Sequence, residues 1–529
     1  MVSERVRKRL FGAAQRLLTV TGAVTATAVF CVVTFGAISP AAALPSFARQ
    51  TGQPCGTCHT DFPGLTPYGR KFKLLGYTTG GGPFRTAPFR EFPRFKKDPL
   101  DSYVNADDAQ SYVRKKLDLG REGQSTTGQS DTWVPPISMM AIVGYTHTQA
   151  PQDATGSPYK SNDNLVVAPV SVFYGGAITE HIGAFAQLTW NNAPFGAPDQ
   201  ADPYATRQVT WDNTDIRYSN TAKLGNTNVI YGITANNNPT VQDLWNTTPA
   251  WAFPYNVSNI AASGPTSSTL IEGALAARVA GVGAYAWIND LLYLELTGYR
   301  AINFDSLLKL GPDPFQGPGV SPGKMVGIAP YWRVAMEPHW GNHWLEFGAF
   351  GMSAQVNPFT TVTDANGFYL NQTFQETDRY ADIGFDTQYQ YQGPNYWITL
   401  RGTYIHEKQT LDASSLNFGT NPTNSLDTFK ALASLAYGND NRVVLTGQYF
   451  NSRGTSDATL YANNPEFSPN SEGYIFEVAY IPFISSQAPV WPWANARVGL
   501  QYTYYNKFNG DTVSAHDNNS LFAYIWFAM

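Results

Sequence analysis

Residues 381–404 read ADIGFDTQYQYQGPNYWITLRGTY, and the fold is decided in this stretch. Ala381, Ile383 and Phe385 alternate with Asp382, Gly384, Asp386 and Gln388. After Gly393-Pro394-Asn395, Ile398, Leu400 and Tyr404 alternate with Thr399, Arg401 and Thr403. Successive side chains of a strand point to opposite faces, so a period of two puts apolar groups on one side and charge on the other. Two such runs joined by a turn form a β-hairpin. Aliphatic and aromatic residues on one face, with carboxylates and an arginine on the other, are the pattern of a transmembrane barrel strand. Its outside meets lipid, and its inside faces a wet or protein-filled lumen.

The same patterning recurs, for example at Leu292, Leu294 and Leu296 against Tyr293, Glu295 and Thr297, and at Val498, Leu500 and Tyr502 against Arg497, Gly499 and Gln501. Sixteen segments are predicted, near 136–148, 166–179, 182–192, 207–221, 226–236, 268–288, 291–302, 325–338, 343–356, 376–391, 395–408, 425–438, 442–454, 471–484, 493–507 and 518–529. Short turns such as Glu180-His181, Asn289-Asp290 and Gly341-Asn342 alternate with long loops such as 303–324, 357–375 and 455–470. In such barrels the short turns face the periplasm, which makes both barrel ends periplasmic. The last segment sets Leu521, Ala523, Ile525 and Phe527 against Phe522, Tyr524 and Trp526. Composition agrees: charged residues are 14%, against about 25% in soluble domains, and aromatics are also 14%. Mean hydropathy is -0.26, too low for a bundle of apolar helices. A large soluble β-sandwich is the competing reading.

The N-terminus supports export. Arg5, Arg7, Lys8, Arg9 and Arg16 precede an apolar stretch from about Leu17 to Ile38, and Ala41-Ala42-Ala43 offers a small-residue cleavage site, so residues 1–43 are expected to be a cleaved signal peptide. Cys31 leaves with it. Residues 45–135 then hold 13 Lys+Arg against 9 Asp+Glu, or +4, and residues 136–529 hold 17 against 30, or -13. This charge step marks a boundary: residues 44–78 as a cofactor segment, 79–135 as an irregular Pro/Gly/basic connector or plug, and 136–529 as the barrel.

Cys55-Gly56-Thr57-Cys58-His59 is the attachment signature for a covalent c-type haem. Two thiols reach the two vinyl groups of one porphyrin, and the following imidazole falls beneath the iron as proximal ligand. A thiol-redox pair would need a βαβ context, and a structural zinc site would need four ligands. The mature chain has no further cysteine. A short Pro/Gly-rich wrapping buries little apolar surface, so the segment is expected to plug the lumen, +4 against -13. A small cytochrome tethered in the periplasm is the alternative. Four prolines leave little room for helix before Thr66, while Thr66 to Leu75 suits a short one.

The run PSFARQTG, then C-x-x-C-H, then FPGLTPYGRKFKLLGY is similar to the N-terminus of the fused outer-membrane monohaem cytochrome c–porins of iron-oxidising bacteria, of the extracellular Fe(II) oxidase type. The resemblance covers residues 44–78 closely and the barrel weakly. It implies a barrel of about 16 strands, oxidation of Fe(II) outside the cell, and transfer of electrons through one haem c to a periplasmic cytochrome or copper protein. The chain would then be an electron-transfer protein acting as an Fe(II):cytochrome oxidoreductase in the outer-membrane lipid, with no nucleic-acid partner. An electron conduit for another extracellular donor or acceptor, and a diffusion porin with a structural or regulatory haem, share the same motifs.

Between His59 and Met139 there is no other His and no Met, so the sixth ligand is unassigned. Parity makes Met140, Met325 and Met352 lumen candidates, while Met139 and His147 share the parity of Ile137 and Val143 and face lipid. Lys71, Lys73 and Tyr68 would be unusual local ligands. A Met ligand raises the potential and a second His lowers it. The Asn236–Tyr255 stretch begins the longest loop and either folds inward to line the path to haem or packs as a rigid loop. Inward acids Asp215, Glu295, Glu337, Glu346, Asp382, Asp386 and Glu477 are set against Arg217, Arg333, Arg401 and Arg497. Loop acids Asp199, Asp202, Asp305, Asp313, Asp364, Asp457 and Glu466 would draw divalent cations to the outer surface, with no spaced site for Fe(II).

Overall fold

The structure, a computed structural model, describes residues 44–78, 136–151, 162–190, 209–258, 260–273, 275–303, 306–307, 310, 324–363 and 369–529. The expected signal peptide and the 79–135 connector lie outside the described residues, as do Asp199, Asp202, Asp305, Asp313 and Asp364.

From residue 137 onward the chain forms a closed antiparallel barrel of 16 strands. They are β1 (Ile137–Thr148), β2 (Asp163–Ala177), β3 (Ile182–Trp190), β4 (Val209–Leu224), β5 (Thr227–Asn236), β6 (Val279–Ile288), β7 (Leu292–Ala301), β8 (Lys324–Trp340, interrupted), β9 (His343–Asn357), β10 (Asp378–Gln392), β11 (Tyr396–Thr410), β12 (Thr423–Tyr437), β13 (Arg442–Gly454), β14 (Ser471–Ile481), β15 (Asn495–Lys507) and β16 (Ser520–Ala528). Each pairs with its sequence neighbours. The ring closes where β16 meets β1, with Ile525 opposite Val143 and Ala528 opposite Met140. Closure leaves no edge, which a lipid environment demands because it satisfies no free N–H or C=O. Strand β8 breaks at Gly327, whose φ is +72°, and at Pro338, which cannot donate to a ladder.

Alternation turns into sidedness. Ile383, Phe385 and Leu400 are 41%, 52% and 44% exposed on the outer face, while Asp382, Asp386 and Arg401 are 6%, 5% and 7% exposed on the inner one. Phe522, Tyr524 and Trp526 of the last strand point inward and are buried. At one end the connectors are two to four residues long, apart from 482–494. At the other they run from 12 to 42 residues.

In the barrel the structure departs from two expectations. The segment at 268–288 becomes strand only at Val279, because Leu270, Ile271 and Leu275 are buried in a lumen cluster rather than in the sheet. A capping box joins Thr269 and Glu272 there, Leu270 donates its N–H to Glu407, and Ile271 donates to Asp382 at 2.9 Å. Asp457 is not a surface attractor for cations. It is buried and accepts hydrogen bonds from Asn421, Asn424, Thr459 and Leu460.

Residues 44–78 lie inside the ring. They form α1 (Pro45–Thr51), a single turn α2 (Cys55–Cys58), a small ladder of His59–Asp61 against Gly64–Leu65, and α3 (Pro67–Leu74). The prolines do not prevent helix before Thr66, since Pro45 occupies the first helical position, where a missing N–H costs nothing, and Gly52 closes α1 in the left-handed conformation. Helix α3 is capped by Thr66 through the Gly69 N–H and also starts on a proline.

Polar contacts tie this segment to the wall all round. Arg70 forms an ion pair with Glu337 at 2.9 Å and donates to Gln388 and Gln390. Tyr77 donates to Asp215 at 2.7 Å, Gln50 bonds the β2 backbone, and Arg497 donates to the Phe62 carbonyl. The 237–278 connector also folds inward and crosses the lumen. Asp243 pairs with Arg333 at 3.2 Å, Thr247 bonds Asp386, Arg401 donates to Tyr255, and Glu272 pairs with Lys430. Lys73 donates to the carbonyls of Val241 and Asp243, both at 2.7 Å, joining the two lumen elements.

Arg70→Ala leaves Glu337 buried without its cation, at a cost on the order of 3–5 kcal/mol. The expected outcome is rapid proteolysis within residues 44–78 in detergent while the barrel keeps its heat-modifiable gel mobility. Phe385→Arg puts a charge on the lipid face, and equilibrium folding into vesicles should lose about 2–4 kcal/mol, whereas Phe385→Leu should lose little.

Candidate functional site

The chain around the Cys-x-x-Cys-His motif is held in one shape by its neighbours. Pro54 precedes α2 in an extended conformation, and one helical turn places Cys55 and Cys58, three residues apart, on the same side. The turn is fixed to the 482–494 connector, where Gly56 N–H donates to the Ile484 carbonyl at 2.9 Å. Helix α3 lies against it, with Thr66 donating through its hydroxyl to Thr57 and through its N–H to Cys58. Gly69 is required at that crossing, because a Cβ there would sit 2.2 Å from the Cys58 carbonyl oxygen. Arg442, the first residue of β13, donates to the carbonyls of His59 and Thr60.

Cys55, Cys58 and His59 line one cavity of about 530 Å³, within the usual range for small-molecule and cofactor sites. Its walls come from α1, α2, α3, β1, β2, β3, β4, β16 and the inward connector, and are largely aromatic and aliphatic, with Phe47, Phe72, Phe173, Phe185, Trp251 and Ile142. His59 Nδ1 is 3.3 Å from the Pro63 carbonyl oxygen. That oxygen can only accept, so Nδ1 carries the proton and Nε2 keeps its lone pair, the tautomer found when a metal-binding imidazole is oriented by a carbonyl. Burial, with a smaller contribution from the Arg442 charge, pushes the His59 pKa down to about 4, keeping the ring neutral.

The two thiols are not bonded to each other. Burial pushes their pKa values up to about 11 for Cys55 and about 12 for Cys58, the reverse of what an exchanging thiol pair needs. Among the described residues no group of three His, Cys, Asp or Glu side chains could hold a metal ion. An apolar pocket with two thiols and a neutral, oriented imidazole on its wall suits a haem c, which Cys55, Cys58 and His59 would hold.

Of the three methionine candidates, Met140 lines this cavity. Met325 and Met352 do not. They pack with Tyr331, Phe350 and Leu270 in a separate cluster. Met139 is on the outer face, and His147 is also exposed there, paired with Asp163 at 2.7 Å. Lys71 pairs with Asp290. The inward charges find local partners: Arg217 with Asp215, Arg333 with Glu346 and Asp386, and Arg497 with Glu477. Glu295 instead accepts from Tyr293 and Thr297. Trp251 of the inward connector lines the cavity, as one reading of the Asn236–Tyr255 stretch expects, whereas Arg442 and Asn256 lie outside every predicted site. Arg442 alone carried a signal, since it shares the inward parity of Val444 and follows a short turn.

No family model matches the chain, and no curated protein matches it. Among solved structures it is similar to OmpF of Salmonella typhi in complex with daunomycin, at 12% identity and a TM-score of 0.40, over 74% of this chain and 97% of that one. OprB of Pseudomonas putida gives 10% and 0.39 over 80% and 96%, and an anion-selective porin from Comamonas acidovorans gives 11% and 0.39 over 74% and 98%. The barrel resembles those of porins.

Gly69→Ala should push α3 away from the Cys58 carbonyl. In protein refolded without cofactor, the expected outcome is faster maleimide labelling of Cys55 and Cys58 than in the wild type, with an unchanged barrel circular-dichroism spectrum.

Proposed function

We propose that this chain is an outer-membrane electron-transfer protein that carries one covalent haem c inside its barrel and passes electrons from an extracellular donor to a periplasmic carrier. The observation that carries the reading is the shared cavity of Cys55, Cys58 and His59, with the imidazole fixed by the Pro63 carbonyl. Haem supplies a one-electron couple at this place. The protein's residues would do the rest: the Cys55 and Cys58 thiols would anchor it, His59 Nε2 would bind the iron, and Met140, on the wall of the same cavity, is the candidate for a second protein ligand. Phe62 stands edge-on to His59, with ring centres 5.1 Å apart, and packs on Trp526 at 4.7 Å, keeping water from that side.

The arrangement of connectors supports an orientation. Short turns face the periplasm in such barrels, so both barrel ends and the entry of residues 44–78 belong to that side. The extracellular donor is Fe(II) by the resemblance of residues 44–78 to the cytochrome–porins, and the acceptor is a periplasmic cytochrome or copper protein. A diffusion porin is disfavoured because residues 44–78 and 237–278 occupy the lumen with buried, bonded side chains.

Three measurements test this. Cys55→Ser with Cys58→Ser should abolish the haem that survives denaturing electrophoresis. Purified, oxidised protein mixed with Fe(II) should develop the bands of reduced haem c, and absence of reduction across acidic and neutral pH would remove the iron reading. In planar bilayers the barrel should conduct far less than an open 16-strand porin; a large steady conductance would favour diffusion.

A further inference from the structure

We infer that the outward face of β7 to β13, at the end that bears the long connectors, is a docking belt for the phosphate groups of outer-leaflet glycolipid. The inference rests on the orientation proposed above, which sets that end outside the cell. Arg300 is the last residue but one of β7, Lys324 the first of β8, and Arg379 the second of β10. Lys408 is the third from the end of β11, and Arg453 the last but one of β13. All five are exposed and share the parity of the lipid-facing residues of their strands. By contrast, every Asp and Glu of β7 to β11 is buried on the inner face. Arg300, Lys324, Arg379 and Lys408 form no ion pair among the described residues. Arg453 has one loose contact, 3.9 Å from Glu472, with 70% of its own side chain exposed. Asp427, which faces outward from β12, is taken up by the Tyr404 hydroxyl and His406 Nδ1. Strands β1 to β6 carry no Lys or Arg at that end. A barrel whose residues 136–529 total -13 therefore gathers cations on one flank of one rim.

Depth identifies the occupant. Tyr404, Phe429, Tyr449 and Tyr474 form an outward aromatic row across β11 to β14. Tyr404 stands opposite Phe429, the Phe429 and Tyr449 ring centres are 6.2 Å apart, and those of Tyr449 and Tyr474 are 5.4 Å apart. Such rows mark the boundary between hydrocarbon and headgroups. Lys408 and Arg453 lie four residues beyond Tyr404 and Tyr449 on their own strands. That is about 13 Å along the strand, which strand tilt reduces to headgroup depth. Register brings the cations together. Lys408 faces Ala381, two residues from Arg379, a diagonal spacing of ~7–8 Å. On its other side Lys408 faces Ser425, two residues from Asp427, which faces Arg453. Like charges so placed repel one another, and an anion seated among them turns the repulsion into attraction. Phosphate suits both side chains, as a point-charge partner for Lys and a bidentate one for Arg. Outer-leaflet glycolipid carries its phosphates at this depth, and attraction to a charged membrane surface grows with each basic residue near it.

The test titrates detergent-purified full-length protein, in neutral micelles, with bisphosphorylated lipid A and with lipid A from which both phosphates have been removed. Native mass spectrometry counts the bound lipid. Wild-type protein should retain the phosphorylated lipid and lose the dephosphorylated one at the same concentration, and added salt should weaken the retention. The combined variant Arg379→Gln, Lys408→Gln and Arg453→Gln should bind the phosphorylated lipid on the order of a hundredfold more weakly. Lys223→Gln, which removes an exposed lysine at the opposite end of the barrel, should bind as the wild type does. Equal binding of the two lipids by wild-type protein overturns the inference without recourse to any variant. So does a combined variant that keeps its heat-modifiable gel mobility and the wild-type affinity. Orientation has its own readout: Ala462→Cys, exposed in the 455–470 connector, should react with a membrane-impermeant maleimide on intact cells. Reaction only after the outer membrane is opened overturns the orientation and this inference together. Equal lipid binding in protein that does react on intact cells overturns this inference alone.

Discussion

Inward-facing carboxylates in a closed barrel need donors, and most of this molecule is arranged to provide them. Asp215, Glu337, Glu346, Asp386 and Glu477 are all buried, where an unpaired charge is costly. The wall answers some of them with Arg217, Arg333 and Arg497. It does not answer Glu337, which depends on Arg70 from the N-terminal segment. In return Arg333 takes Asp243 from the inward connector. Segment, connector and wall therefore share one network of charge, and the position of the cavity follows from where that network seats α1 to α3.

Much of this was legible because a period of two is unambiguous when one face meets lipid. In the 381–404 hairpin every inward and outward assignment follows from the alternation, and the register of β10 against β11 agrees residue by residue. Lumen residues were legible for the same reason, down to the distinction between Met139 and Met140. Alternation stops being informative where apolar residues serve a lumen cluster instead of the lipid face. Leu270, Ile271 and Leu275 look like strand residues and are not, since a hydrophobic side chain has the same identity whichever interior it fills.

At the site, the sequence carried the motif but not its surroundings. Cys55, Cys58 and His59 are adjacent in the chain and announce themselves. Arg442 lies 383 residues from His59 and touches only its backbone, a contact that leaves no trace in spacing. Met140 could be separated from Met325 and Met352 only by position, as all three have the same parity.

The cavity wall joins the two extremes of the barrel sequence. Met140 and Ile142 belong to its first strand, Trp526 and Ala528 to its last, and they are neighbours only because β16 zips against β1. Contacts of such sequence separation carry the largest loop-closure cost. This side of the pocket therefore has no existence in any partly assembled chain: it is created at the seam, by the step that also removes the last free edges. Barrel closure and completion of this wall of the site are therefore the same structural step.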